Sequence, residues 1–155
     1  MELIICGEVE AHDYKPLKPT LAFRIFLPSV LGNYLREKPL EGENYVGQYK
    51  YYFDDIWPGS WGINKDSVMF DETLASQMLD DFEKHKSNIE TFLIHCGRGI
   101  NRSPAVAIAF NDIYKLGYDS KKLEEKYSEA NWYVCNLLNR FAKTKVVSTQ
   151  RLDKN

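Results

Sequence analysis

The sequence predicts an α/β fold with a central, mostly parallel sheet flanked by helices. Two observations lead to this prediction. In the second half of the chain, apolar segments typical of buried strands alternate with helical patterns. One such strand, Thr91–His95, runs into a glycine-containing loop, and a strong helix follows from about Arg102 to Leu116. A strand, a short loop and a helix in this order place the loop at the carboxyl edge of the sheet, where ligands bind in such folds.

The other elements follow from hydrophobic periodicity and from the residues that interrupt it. Apolar and aromatic runs predict three further strands, at Leu3–Cys6, Leu21–Leu27 and Gln48–Asp55. Polar residues predict a surface loop at Gly32–Asn44, and proline with two glycines predicts another at residues 56–62. Helical spacing and capping residues predict helices over Met69–Lys86, from Asp119 or Ser120 to Glu129, and over Asn131–Lys143. Gly117 is expected to end the helix that begins near Arg102.

Composition indicates one domain over residues 1–155, with a frayed polar tail at residues 144–155. A net charge of −2 is unlike the basic excess of nucleic-acid-binding proteins, so nucleic acid is not an expected partner. No apolar run approaches the roughly 18 residues of a membrane span. Three dispersed cysteines without a C-x-x-C pair indicate neither a disulfide framework nor a zinc site. Free thiols and the lack of an export signal predict a cytoplasmic protein.

Residues 95–104 have the sequence His-Cys-Gly-Arg-Gly-Ile-Asn-Arg-Ser-Pro, which suits the binding of a phosphate dianion. Two glycines allow the loop to curl, so that successive main-chain N–H groups point inward, and the following helix adds the positive end of its dipole. The arginine that ends the loop can hold two phosphate oxygens at once. The predicted phosphate-binding residues are Gly97, Arg98, Gly99, Ile100, Asn101 and Arg102.

Cys96 is the predicted nucleophile of this loop. A free thiol has a pKa of about 8.5 and is mostly protonated at neutral pH. The N–H groups that bind phosphate, the helix end and Arg102 would all stabilise the thiolate. The Ser103 hydroxyl is expected to donate to the sulfur when it leaves, and His95 is expected to orient the loop through a hydrogen bond.

These residues resemble the H-C-x5-R-S/T signature of the protein tyrosine and dual-specificity phosphatase superfamily, through His95, Cys96, Gly99, Arg102 and Ser103. The order of elements over residues 1–142, with the segment at residues 53–56, resembles small bacterial predicted tyrosine phosphatases. The resemblance implies hydrolysis of phosphotyrosine through a cysteinyl-phosphate, with phosphoserine and phosphothreonine as open alternatives. It also implies a phosphorylated protein or peptide as the partner, no metal or other cofactor, and a loop that accepts phosphate or sulfate.

Other substrates of the same fold stay open at this point. Asn101 directly before the arginine resembles the RNA 5′-triphosphatase branch, although Ser103-Pro104 stands where that branch usually has Thr-Gly. A phosphoinositide phosphatase is a further alternative. A catalytically silent phosphate-binding module is the alternative from another class, but pure binding does not need the Cys96 thiol.

The leaving oxygen needs a proton, and a carboxylic acid on a nearby loop can supply it. The candidates are Asp54, Asp55 and Asp66. The Phe-x-Asp-Ile pattern of the resembling bacterial family favours Asp55. Asp66 lies at a separation from Cys96 that resembles many dual-specificity enzymes, but a capping role before the next helix explains it as well.

Overall fold

Four parallel strands form one sheet in the computed structural model, which describes the backbone of residues 1–152 and the side chains of residues 1–146. The strand order in the sheet is β1-β4-β2-β3, and every pair is parallel. The predicted α/β class and parallel sheet are therefore confirmed. The strands are β1 (Glu2–Gly7), β2 (Thr20–Phe26), β3 (Tyr45–Tyr52) and β4 (Thr91–Cys96).

The helices pack mainly on one face of this sheet, where most of the hydrophobic core lies. Side chains of a strand alternate between faces, so Leu21, Phe23 and Ile25 of β2 enter this core while Ala22 belongs to a smaller apolar cluster on the other face. The helices are α1 (Glu8–Asp13), α2 (Tyr34–Glu37), α3 (Glu72–His85), α4 (Arg102–Tyr114), α5 (Ser120–Lys126) and α6 (Trp132–Leu152).

The predicted strands β1, β2 and β4 agree with the structure to within one residue at each end. The third strand begins and ends earlier than predicted, so Asp54 and Asp55 follow β3 and do not belong to it. The alternation of side chains between the two faces of a strand therefore does not apply to these two carboxylates.

The sequence did not predict two short helices. Helix α1 follows β1 without a turn, and its six residues are too few for a hydrophobic period to show. Helix α2 lies inside the stretch predicted as a plain surface loop, and the Asn33 side chain caps it by accepting from the Arg36 N–H. A four-residue helix held by its cap leaves no periodic signal in the sequence.

Several helix ends differ from the predictions for local reasons. Asp71 caps α3 by accepting from the Leu74 N–H, so the helix starts later than the predicted Met69. Lys115 takes the left-handed conformation at the end of α4, with φ 53°, and Gly117 has a positive φ two residues further on. Asp119 caps α5, which ends at Lys126, before the predicted Glu129.

The prediction of a frayed tail from residue 144 is not met over residues 144–152, where α6 continues as a helix to Leu152. Lys145 forms an ion pair with Asp80 of α3, and this contact supports the additional turns. The last part of the predicted tail, residues 153–155, lies outside the described residues. No helix among the described residues is long and apolar enough to cross a membrane.

Parallel pairing brings the carboxyl ends of the strands to one edge of the sheet. Gly7 of β1 is in register with Cys96 of β4, and Phe26 of β2 is in register with Tyr52 of β3. The loop between β4 and α4 and the segment after β3 therefore start from the same edge.

We expect Phe23→Ala to lower the free energy of unfolding by about 3–5 kcal/mol, because a buried ring leaves a cavity when it is removed. Phe23 is fully buried, and its ring centroid lies 4.9–6.2 Å from those of Tyr49, Tyr51, Phe92 and Phe110. Urea denaturation measures the loss. Leu35→Ala, at a position 81% exposed, is the control and should change the value by no more than about 0.5 kcal/mol. Equal losses in both variants would contradict this account of the core.

Candidate active site

Cys96 is the last residue of β4, and its side chain is only 3% exposed. Its sulfur accepts hydrogen bonds from the Gly99 N–H at 3.3 Å and from the Ser103 hydroxyl at 3.2 Å. One donor belongs to the loop and the other to the first turn of α4, so the predicted nucleophile lies at the junction of strand, loop and helix. Ser103 is fully buried, which holds its hydroxyl in this position.

The surroundings of Cys96 act on its pKa in opposite directions. Burial raises the pKa of the thiol, because a buried thiolate loses its hydration. The hydrogen bonds from the Ser103 side chain and N–H, the charge of Arg102 and the Gly99 N–H lower it, and their combined effect prevails. The pKa of Cys96 is therefore below its ordinary value. By contrast, burial raises the pKa of both Cys6 and Cys135 to about 12.

Gly99 is the glycine that the loop conformation requires. Its φ is +72°, and a Cβ at this position would lie 2.5 Å from the carbonyl carbon of Cys6. Gly97 differs, since the nearest atom to a Cβ there would be Nη2 of Arg102 at 3.9 Å, an ordinary contact. Of the two glycines to which the sequence assigned the curl of the loop, only Gly99 is needed for it.

The loop holds its carbonyl groups away from its main-chain donors. The Gly97 carbonyl accepts from the Glu8 N–H, the first of α1, at 3.1 Å. The Asn101 carbonyl accepts from the Asn131 N–H at 3.0 Å. Within the described part of the chain, the N–H groups of Arg98 and Ile100 donate to no protein acceptor. These donors are available to an anion at the N-terminus of α4.

Arg102 is 8% exposed, and one nitrogen of its guanidinium is fixed by a hydrogen bond. Its Nη1 donates to the Phe53 carbonyl at 2.8 Å, just beyond the end of β3. Since a guanidinium carries five N–H donors, this bond fixes the group and leaves donors for phosphate oxygens. It also ties the segment that carries the candidate acids to the first residue of α4.

His95 lies on the other side of β4 from Cys96 and is fully buried. Its Nε2 accepts from Nε of Arg24 at 3.2 Å, and its Nδ1 lies 3.5 Å from the Cys96 carbonyl oxygen. Burial first, and the Arg24 charge second, lower the pKa of His95 to about 4, so the ring is neutral at pH 7. Because Arg24 can only donate, Nδ1 carries the ring proton and points it at the Cys96 main chain. The orienting role of His95 stays a prediction.

The three candidate acids lie in different settings. The Asp54 carboxylate accepts from the Val68 N–H at 2.8 Å, and the Asp54 N–H donates to the Val68 carbonyl, so this residue closes the loop between β3 and α3. Asp66 is exposed in a turn, and its N–H donates to the Asn64 side chain. The cap of α3 is Asp71, so the capping role considered for Asp66 is wrong.

Asp55 is joined to the Cys96 loop through one intermediary, Asn131. The Asn131 side-chain amide donates to Oδ1 of Asp55 at 2.9 Å, while its main-chain N–H donates to the Asn101 carbonyl. Asp55 and Asn101 also line one cavity of about 540 Å³ together with Trp57 and Trp132. Among the three acids, Asp55 is the one with this link to the loop through Asn131.

The structure assigns positions to four residues that the motif alone did not explain. The Asn101 side chain donates to the Glu129 carbonyl at 2.7 Å, so it holds the loop before α6, and Arg98 is exposed. Asn131 precedes an apolar helix, a common signal for a cap, but its bond to Asp55 joins residues that are 76 positions apart. Arg24 had a signal too, since it is the single charge in the apolar strand β2.

The chain was compared with protein families, with curated proteins and with solved structures. No protein-family model matches the sequence, and no curated protein is significantly similar to it. Among solved structures, the chain is similar to the crystal structure of Tk-PTP in the active form, a protein tyrosine phosphatase. The two sequences are 16% identical over 90% of this chain and 92% of that one, with a TM-score of 0.46. No group of three or more His, Cys, Asp or Glu that suits a metal ion occurs among the described residues.

We expect Ser103→Ala to raise the pKa of Cys96, because the variant loses the side-chain hydrogen bond that lowers it most. The pH dependence of alkylation by iodoacetamide, followed at Cys96 by mass spectrometry, measures the shift. The midpoint should move to higher pH. Ser87→Ala, at an exposed turn after α3, is the control and should leave the midpoint in place. An unchanged midpoint in Ser103→Ala would show that the hydroxyl does not stabilise the thiolate.

Proposed function

We propose that this protein is a cysteine-dependent phosphatase in which Cys96 is the nucleophile and Arg102 holds the phosphoryl group. The observation that carries the proposal is the set of donors around one buried sulfur. The Gly99 N–H and the Ser103 hydroxyl donate to Sγ, and the Arg102 charge lowers the pKa of the same thiol. A structural cysteine needs none of these groups, whereas a nucleophile that must be a thiolate at neutral pH needs them all.

The first step would be attack of the Cys96 thiolate on phosphorus. The S–P bond forms as the bond from phosphorus to the leaving oxygen breaks, and the Asp55 carboxylic acid protonates that oxygen. The main-chain donors of the loop and the Arg102 guanidinium would bind the three phosphoryl oxygens and stabilise the charge that develops on them. This step gives a cysteinyl-phosphate and a free alcohol or phenol.

The second step would be hydrolysis of the cysteinyl-phosphate. The Asp55 carboxylate takes a proton from water while the water oxygen attacks phosphorus, and the S–P bond breaks to release phosphate and the thiolate. The Ser103 hydroxyl, 3.2 Å from Sγ, would stabilise the departing sulfur. Asp55 thus returns to the acid form that the first step consumes.

A phosphotyrosine residue is the substrate that the surroundings support best. The cavity of about 540 Å³ beside the loop is lined by two large rings, Trp57 and Trp132, together with Asp55. Trp57 is 51% exposed and Trp132 is 37% exposed, so both ring surfaces remain available to an aromatic leaving group. The net charge of −2 does not favour RNA over a peptide.

Turnover of a phosphotyrosine peptide and of 5′-triphosphate RNA, measured side by side, tests the substrate class. We expect a higher kcat/KM for the peptide. Preference for the RNA would support the triphosphatase alternative, and turnover of neither in a properly folded protein would support a silent phosphate-binding module.

We expect Cys96→Ser to abolish turnover while phosphate still binds, because the hydroxyl lacks the nucleophilicity of a thiolate but leaves the loop donors in place. Phosphatase assays and calorimetric titration with phosphate measure the two properties. Cys135→Ser, the same change at a buried position on α6, is the control and should keep its activity. Substantial turnover by the Cys96→Ser protein would eliminate the cysteinyl-phosphate mechanism.

We expect Asp55→Asn to lower turnover of a phosphotyrosine peptide by roughly 100- to 10,000-fold, because the leaving phenolate then departs without a proton. The loss should be smaller for para-nitrophenyl phosphate, whose leaving group needs less protonation. Asp54→Asn and Asp66→Asn are the matched controls and should retain the dependence on the leaving group that the unmodified protein shows. If Asp54→Asn or Asp66→Asn produced the large loss instead, the acid would be that residue.

A further inference from the structure

The two carboxyl oxygens of Asp55 differ in their surroundings. Nδ2 of Asn131 donates to Oδ1 of Asp55 at 2.9 Å. Within the described part of the chain, Oδ2 of Asp55 forms no hydrogen bond. Asp55 also lines the cavity of about 540 Å³ beside the Cys96 loop. The contact with Asn131 therefore leaves one particular oxygen free for a substrate.

The segment that carries the candidate acid is anchored before this residue and exposed after it. On the near side, the Phe53 carbonyl accepts from Arg102 at 2.8 Å. On the far side, almost all of residues 57–66 are exposed. Nδ2 of Asn131 donates to the Ile56 carbonyl at 3.2 Å, between these two parts. Asn131 thus provides a fixed donor at the point where the anchored segment gives way to the exposed loop.

Asn131 is itself held in place at the start of α6. It is 3% exposed, and its Oδ1 accepts from the Val134 N–H at 3.3 Å, as a capping residue does. Its main-chain N–H donates to the Asn101 carbonyl, in the Cys96 loop, at 3.0 Å. The same residue is therefore bonded to the helix, to the loop and to the segment with the acid, so it fixes the position of the acid relative to the loop.

The hydrogen bonds of Asn131 leave one orientation for its side-chain amide. The main-chain N–H of Val134 can only donate, so the amide atom that faces it is the oxygen. The main-chain carbonyl of Ile56 can only accept, so the amide atom that faces it is the nitrogen. The group that faces Asp55 is therefore an N–H donor, and both hydrogens of the amide are used.

We propose that Asn131 is a positioning residue that determines which oxygen of Asp55 carries the proton. An oxygen that accepts from an amide N–H cannot also point a hydroxyl hydrogen at that donor, so the proton of the acid form resides on Oδ2. Oδ2 is the oxygen without a partner among the described residues, and Asp55 lines the cavity beside the loop. The proton is thus placed where a leaving oxygen can take it.

This inference rests on the proposed phosphatase mechanism, in which Asp55 is the acid of the first step and the base of the second. In the second step, the bond from Asn131 leaves Oδ2 free to take the proton from water. The acid form is then restored with its proton on the same oxygen. Asn131 exchanges no proton itself and acts only through Asp55.

The Asn131→Ser variant tests this role, because serine can also cap α6 but replaces the amide by a shorter hydroxyl group. We expect kcat for a phosphotyrosine peptide to fall by about 10- to 100-fold, since a displaced acid transfers its proton poorly. The loss for para-nitrophenyl phosphate should be smaller, because its leaving group needs less protonation. Asn139→Ser is the matched control on the same helix, where the side chain donates to the Cys135 carbonyl, and it should keep both rates.

The double variant Asn131→Ser/Asp55→Asn shows whether Asn131 acts through Asp55. We expect it to be no slower on the peptide than Asp55→Asn alone, because the two residues act as one unit. A further loss of about tenfold or more in the double variant would overturn the proposal. So would an unchanged ratio of the two rates in Asn131→Ser, whether both rates stay the same or both fall equally.

NMR of the Asn131 side-chain amide tests the contact without turnover, and it decides the matter if Asn131→Ser fails to fold. The signal should shift as Asp55 is protonated on lowering the pH, and this shift should be absent in Asp55→Asn. An amide signal that responds equally in both proteins would overturn the proposal. A normal amide response in a folded protein that turns over neither substrate would reject the phosphatase function and leave the assignment of the protonated oxygen in place.

Discussion

The set of donors and charge around the buried Cys96 sulfur is the interaction on which the rest of this structure depends. Burial alone would raise the pKa of Cys96, as it does for Cys6 and Cys135. Donors from the start of α4 and from the loop, together with the charge of Arg102, lower the pKa of Cys96 instead. Each of these groups contacts the sulfur only if the end of β4 lies close to the start of α4. The end of the strand, the length of the loop and the start of the helix are therefore fixed together.

The segments at the carboxyl ends of β1 and β3 explain how the loop is held at this junction. On one side, Gly99 packs against the Cys6 main chain so closely that a methyl group could not fit, and the Glu8 N–H binds the Gly97 carbonyl. On the other side, the Phe53 carbonyl after β3 fixes Arg102. Parallel strands bring these contacts to one edge without any covalent link. The loop is therefore shaped by the sheet and not by its own sequence alone.

The parts of this site that are local in sequence could be predicted, and the parts that depend on contacts between distant residues could not. The segment from His95 to Ser103 contains its own strand end, turn and helix start, so its residue types indicated an anion site. The link from Asp55 to the loop runs through Asn131, a residue 76 positions away, which no periodicity reveals. Short elements were missed for a related reason, because α1 and α2 are stabilised by caps and tertiary contacts and are too brief to show a hydrophobic period.

Side chains alternate along β4, so that Cys96 and His95 lie on opposite faces of one strand. Cys96 faces the helices, where Ser103 and Arg102 reach it, while the preceding residue, His95, lies on the opposite face of the sheet and accepts from Arg24. Burial first, and the Arg24 charge second, lower the pKa of His95 to about 4. The Arg24 donor at Nε2 fixes the tautomer of the ring. A protonated ring would place a donor against Nε of Arg24, and a rotated ring would present a different group to the Cys96 main chain. The conformation at the end of β4 thus depends on charge balance on both faces of the sheet, and Arg24 is the residue through which the second face affects the first.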